Sequence, residues 1–202
     1  MSKLVNGILV SERIIQKIFI DLEKGRLIKI NAVIVQQTGA ATAKHTFNSY
    51  EAGGSGAHFI IDKAGVIYQT AHLTKKTHHI GKIKSKCFES GHCSKNELKK
   101  ATDILYEKGK SYPSRILNLH QSEKEKTYPT RYPTNDDSVG IEIVGSFNKA
   151  KKEYEAVSKV QNGSLKWLVG QLHCHYGLTN LDVYRHPEVS YKKASEASSA
   201  TW

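Results

Sequence analysis

The run Asn31-Ala32-Val33-Ile34-Val35-Gln36 constrains this chain more than any other stretch. Three consecutive β-branched residues lose rotamer freedom in a helix and pack well on a pleated surface, so the run reads as a strand. Its interior has no alternating polar position, which marks a strand covered on both faces. Such a strand needs a layer above and below it, and an α/β architecture supplies both. Gln36 ends the run and Gln37-Thr38-Gly39 follows, so a polar side chain stands at the mouth of a buried strand. That is a usual place for a group that binds or reacts.

Other segments fill in the plan. Ser11 is placed to cap a first helix bearing Ile14, Ile15, Ile18 and Phe19, with Gly25 closing that region. Residues Ala57 to Asp62, a Lys63-Ala64-Gly65 turn and Val66 to Thr70 read as a β-hairpin. Val139, Ile141 and Ile143 alternate with Gly140, Glu142 and Val144, which predicts another strand. Leu165, Leu168, Val169, Leu172 and Tyr176 predict an amphipathic helix, despite a cost of roughly 1 kcal/mol for Gly170 inside it. The expectation is one domain over residues 1–202, with a central mixed β-sheet flanked by α-helices and an insert at about 82–137. Within the insert, Ser94-Lys95-Asn96-Glu97 forms a capping box ahead of one helix. The remainder, with Tyr112-Pro113, Tyr128-Pro129 and Tyr132-Pro133, reads as a long loop facing substrate. The Ala/Ser-rich tail from Ala194 to Thr201 is expected to be weakly ordered.

Composition removes several classes. Hydrophobic residues at 39% with 24% charged residues suit a globular domain. No apolar run approaches the ~20 residues that span a bilayer. Ser11-Glu12-Arg13 interrupts the first apolar stretch, so no signal peptide is read and synthesis in the cytoplasm is expected. A net charge of +11 favours anionic partners, yet no nucleic-acid motif accompanies it and the lysines are dispersed. Dispersed charge fits solvated surface or attraction to a polyanionic matrix. Cys87 and Cys93 could close a small loop in an oxidising compartment, and a reduced pair is equally compatible with the spacing.

The reactive candidates stand at strand edges. Glu142 interrupts an apolar strand; it is either a half-exposed surface carboxylate or a general base in a partly apolar cleft. His79, after the hairpin, and His186, before Pro187, are each unremarkable singly, as surface or turn histidines. His173 and His175 flank Cys174, but i and i+2 do not share a helix face, which argues against a metal site there.

As an ordered set these motifs carry more. Val33 to Gly39, Ala57 to Asp62 with Gly65, His79-Ile80-Gly81, Ser138 to Gly145 and the late His186 resemble the zinc-dependent N-acetylmuramoyl-L-alanine amidases, over roughly residues 31 to 196 apart from the insert. That group includes phage amidase-type lysozymes and shares its fold with peptidoglycan recognition proteins. The lysine-rich insert and the unread signal peptide are similar to amidase effectors delivered by type VI secretion. The resemblance implies hydrolysis of the amide between N-acetylmuramic acid and L-Ala of the peptidoglycan stem peptide. It implies one zinc ion held at the positions of Gln36, His186 and, less directly, Glu196, with zinc lowering the pKa of a bound water to about 7. Glu142 would take that water's proton, and His79 or Lys192 would steady the oxyanion. Gln36 stands where the resemblance calls for histidine, and an amide oxygen is a far poorer zinc donor. Weak or absent zinc and reduced hydrolysis are therefore expected, with a non-catalytic peptidoglycan-binding protein as the alternative. Action at the cell wall after secretion or injection into a target periplasm, and a protective immunity protein, complete the expectations.

Overall fold

The computed structural model describes residues 2–202. An antiparallel ribbon opens the chain, β1 (Lys3–Val5) with β2 (Ile8–Val10). The main sheet follows from β3 (Ile14–Gln16), β4 (Ala32–Gly39), β5 (Phe59–Ile61), β6 (Ile67–Gln69), β7 (Ser138–Asn148), β8 (Glu153–Tyr154) and β9 (Val183–Arg185). Its order is β3-β6-β5-β7-β4-β9, with β8 paired to the far end of β7. Only β5–β6 and β7–β8 are antiparallel within it, so the sheet is mixed. The helices are α1 (Ala43–Glu51), α2 (Lys86–Ser90), α3 (Lys95–Leu105), α4 (Tyr112–Lys124), α5 (Lys159–Tyr176) and α6 (His186–Val189). No helix among the described residues is long and apolar enough to cross a membrane.

The period of two along each strand sorts its side chains between two layers. Val33 and Val35 of β4, Phe59 and Ile61 of β5, and Val139, Ile141 and Ile143 of β7 meet Leu165, Leu168, Val169 and Leu172 of α5 in the main core. Ile34 turns the other way, onto Ile80, Ile83 and Val189. Ile60 and Val144 do the same, meeting Phe19, Leu22 and Tyr50. Gln36 and Glu142 belong to this second face by the same alternation. The α/β reading and the mixed sheet agree with this arrangement, as do the hairpin, β7, α3 and α5.

Four expectations need correction. Residues 11–19 are not a helix: Ile14–Gln16 pair in parallel with Ile67–Gln69, and Phe19 packs on Phe47 and Tyr50. Edge pairing on a waiting strand outweighs an i, i+4 spacing carried by β-branched isoleucines. The insert holds three helices rather than one. The missed α4 starts at the Ser111 cap with Pro113 in its first turn, and buries Ile116 and Leu119. The Tyr-Pro segments are also packed: Tyr128 and Tyr132 surround the Lys86 ammonium together with Tyr184 of β9. The tail is ordered, with Ala197 and Ala200 fully buried and their carbonyls accepting from the Arg185 guanidinium at 3.1 and 2.8 Å. Small side chains let that backbone lie close against the sheet. Cys87 and Cys93 form a disulfide beside α2.

The strand β7 is launched from a tightly bonded turn. Asp137 accepts from the Thr134 N–H at 2.7 Å and the Thr134 hydroxyl at 2.9 Å, and pairs with the shielded Arg131 at 2.9 Å. Removing one partner of a shielded ion pair leaves an uncompensated charge, so Asp137→Ala should cost about 3 kcal/mol. Urea unfolding checks this; a loss under ~1 kcal/mol, as for a surface pair, would show the turn is not the anchor.

Candidate active site

The parallel register aligns Gln36 of β4 directly with Glu142 of β7, and Ile60 of β5 with Glu142 on its other side. Gln36 Nε2 donates to Glu142 Oε1 at 3.4 Å. His186 opens α6 immediately after β9, the strand on the other edge of β4. Glu196 arrives from the tail, and its Oε1 lies 2.9 Å from His186 Nδ1. A cleft of about 600 Å³ at this end of the sheet is lined by Gln36, His79, Glu142, His186, Lys192 and Glu196. All six positions chosen from sequence thus meet in one cleft. It is completed by residues that sequence reading did not single out, among them Ser55, His78, Tyr154, Tyr191 and Lys193. No residue of the insert lines this cleft, although Asn135 borders the adjoining smaller cavity.

Glu142 is half-buried, and its carboxyl is pushed up to about 7. Burial is the main cause; a hydrogen bond from the Tyr50 hydroxyl opposes it, the Glu196 carboxylate reinforces it, and the Lys192 charge opposes it. A carboxyl near neutrality can both accept and return a proton, the requirement for a general base that later acts as an acid. Tyr50 was not foreseen. It comes from α1, buries its ring, and also accepts from the Ala57 N–H at 3.0 Å. Gly56 makes room for that ring, since a Cβ there would lie 2.3 Å from it.

The histidines divide into two kinds. His58 Nε2 donates to the Lys75 carbonyl at 2.8 Å and its Nδ1 accepts from the Gly140 N–H at 3.1 Å. Burial pushes His58 down to about 4, so it is a neutral structural group. His79 is buried rather than at the surface, edge-on to His58. Its Nε2 meets the Ser138 hydroxyl at 3.1 Å, and that hydroxyl donates to the Thr134 carbonyl at 2.6 Å, so His79 Nε2 carries the proton. Thr77 Oγ1 takes up Nδ1 at 3.0 Å. Burial is the main cause, with His58 next, of a pKa well below the ordinary histidine value. Both ring nitrogens of His79 are therefore committed, whereas Lys192 projects from an exposed position at the cleft.

His186 differs. Its Nε2 donates to the Ile80 carbonyl at 2.8 Å, because a carbonyl oxygen only accepts. A backbone partner on one ring nitrogen is how metal-binding histidines are usually oriented, leaving the other nitrogen as donor. With His186 Nδ1 beside a buried carboxylate, two members of a zinc donor set fit. The third, Gln36, brings a neutral amide, and no group of three His, Cys, Asp or Glu side chains suited to a metal occurs among the described residues. The set fits zinc at two positions and departs from it at Gln36.

Residues 26–199 match the N-acetylmuramoyl-L-alanine amidase family. The chain belongs to that family. No curated protein sequence matches it. Among solved structures it is similar to a selenomethionine derivative of AmpD, at 16% identity and a TM-score of 0.54, covering 95% of this chain and 89% of that one. It is also similar to the catalytic domain of XlyA, at 17% identity and a TM-score of 0.51, covering 89% of this chain and 87% of that one. AmpDH3 from Pseudomonas aeruginosa, in complex with anhydromuramic pentapeptide, gives 15% identity and a TM-score of 0.51 over 79% of this chain and 51% of that one. At these identities the structural likenesses speak for the fold, and the family match speaks for a peptidoglycan amidase.

Tyr50→Phe isolates the hydroxyl's effect on this amidase cleft. Removing a donor to the charged carboxylate should move the Glu142 midpoint upward from about 7. The Ala57 N–H would lose its acceptor, a cost of roughly 1–3 kcal/mol. Carbon-13 titration of the Glu142 carboxyl reads the first effect; an unchanged or lower midpoint would contradict it.

Proposed function

We propose that this amidase acts on the bond between N-acetylmuramic acid and L-Ala of the stem peptide, with turnover depressed because Gln36 replaces a metal-binding histidine. The observation that carries this reading is the cleft itself: Glu142, held near neutrality, facing Gln36, His186 and Glu196. The muramyl peptide bound to AmpDH3 supports the substrate class. Glu142 deprotonates the attacking water and returns the proton to the departing amine. Lys192, whose ammonium lies at the cleft, stabilises the oxyanion, a contribution of about 2–4 kcal/mol for one well-placed donor. His186 and Glu196 are the residues to hold zinc, which when bound supplies Lewis acidity toward water and the scissile carbonyl. The amide of Gln36 holds it weakly. In this reading the protein works at the cell wall, reached by secretion or injection into a target periplasm, where an immunity protein over the cleft would protect the producer.

The second reading is a protein that binds peptidoglycan without cleaving it. It is favoured by the Gln36 amide donating to Glu142, which occupies an oxygen that the base needs.

Zinc content and muropeptide release from purified sacculi, measured for the chain and for Gln36→His, separate the two. The first reading expects Gln36→His to gain about one zinc per chain. It also expects a hydrolysis gain of at least ~100-fold, the scale of one transition-state donor. Full turnover by the unaltered chain would refute the impairment. Sacculus binding with no gain in Gln36→His would favour the binding protein, and absence of both zinc and sacculus binding would defeat both readings. In the active form the rate should rise with pH on the acid side, because the base works only when Glu142 has lost its proton. Glu142→Gln should remove the activity at every pH.

A further inference from the structure

The turn ahead of β7 reaches the active site through one side chain. Asn135 Oδ1 accepts from the backbone N–H of His79 at 3.1 Å and of Ile80 at 3.0 Å. An atom facing two N–H donors must be the amide oxygen, so the orientation of this side chain is unambiguous. The peptide it grips ends in the Ile80 carbonyl that accepts from His186 Nε2. Behind Asn135 the turn is stiff. Asp137 bonds Thr134 through both its N–H and its hydroxyl, and the Ser138 hydroxyl donates to the Thr134 carbonyl at 2.6 Å. The side chain also borders a smaller cavity of about 390 Å³ that shares Ser55, His78 and Lys192 with the main cleft.

We propose that Asn135 is a positioning residue for His186: by clamping the 79–80 backbone it aims the Ile80 carbonyl, which fixes the proton on His186 Nε2 and turns Nδ1 toward Glu196 and the cleft. The chain of contacts is short and each link has one geometry. Without the amide oxygen, two adjacent N–H groups lose their shared acceptor and the peptide between β6 and the insert can tilt. A tilted Ile80 carbonyl no longer selects one tautomer, and the imidazole loses its fixed direction. Partners at this remove from a ligating histidine typically change metal affinity by about 10–100-fold. The proposal rests on the reading of His186 as a ligand only for its consequence; the ring orientation stands by itself.

The test compares Asn135→Ala with Asn135→Asp, which keeps an acceptor oxygen at the same reach. Nitrogen-15 spectra of the His186 ring in the metal-free protein report which nitrogen carries the proton. The expected result is an Nε2–H pattern in the parent chain, a mixed pattern in Asn135→Ala, and recovery in Asn135→Asp. In the Gln36→His background, zinc titration should show affinity about 10–100-fold weaker for Asn135→Ala, largely restored by Asn135→Asp. A merely structural asparagine would lower the melting temperature while leaving ring signals and zinc affinity unchanged, and that outcome overturns the proposal. If Asn135→Ala does not fold, Asn135→Ser, too short to span both N–H groups, takes its place under the same criteria. Should Gln36→His itself take up no zinc, the metal reading fails, while the ring spectra still decide the role of Asn135.

Discussion

The parallel pairing of β4 with β7 is the interaction on which the rest of the molecule depends. Its register, Val33 with Val139 through Gln37 with Ile143, sends Val33, Val35, Val139, Ile141 and Ile143 to one face together. A one-residue slip would put that whole set on the opposite face and empty the core against α5. The same register delivers Gln36 beside Glu142 at the carboxyl end of the sheet. Core and cleft are thus consequences of one alignment. Gly140 permits it, because a Cβ there would lie 2.7 Å from the His79 ring. The His79 ring, edge-on to the buried His58, packs against β7 and also lines the cleft.

Which parts of this were legible from sequence follows from what each residue depends on. Strand β4 and helix α5 announce themselves because their burial is encoded in their own apolar pattern. The cleft positions were legible for another reason, through the resemblance of an ordered set of motifs to the amidase family. Residues 11–19 misled because the deciding partner, Ile67–Gln69, lies some fifty residues away. The first ribbon did carry a local signal that went unread: Asn6 and Gly7, both at positive φ, are the pair that a tight hairpin turn demands. Tyr50 and Asn135 had no such signal. Their importance lies entirely in what they touch, Glu142 in one case and the 79–80 backbone in the other. Ala197 and Ala200 illustrate the converse error, since small residues read as a loose tail when they are small in order to be buried.

The insert has a role that its composition concealed. Lysine and tyrosine look like surface chemistry, yet the Lys86 ammonium sits among three tyrosine rings and donates to the Pro129 carbonyl at 3.0 Å. One of those rings, Tyr184, belongs to β9, two residues before His186. The insert therefore braces the strand that presents His186, while its final turn grips the backbone that orients the same ring. It shapes the cleft from outside it. Dispersed positive charge, in this molecule, is partly a means of packing aromatic surface.

Gln36 acquires its meaning from these constraints. A carboxyl as shielded as Glu142 gains from any neighbouring donor, and the glutamine amide gives it one without bringing another charge into the cleft. His186 Nδ1 and Glu196 Oε1 meanwhile lie 2.9 Å apart, a contact that closes only with a proton between them. Gln36 with Glu142 and His186 with Glu196 thus face one another in the cleft, an arrangement that serves the folded state. Catalysis asks for the opposite: an unsatisfied base, and a donor set left open to an electrophile. An imidazole at position 36 would add a nitrogen lone pair to that set and withdraw the amide hydrogen bond from Glu142. Under the proposed function, the side chain at position 36 sets the balance between a cleft at rest and a cleft at work.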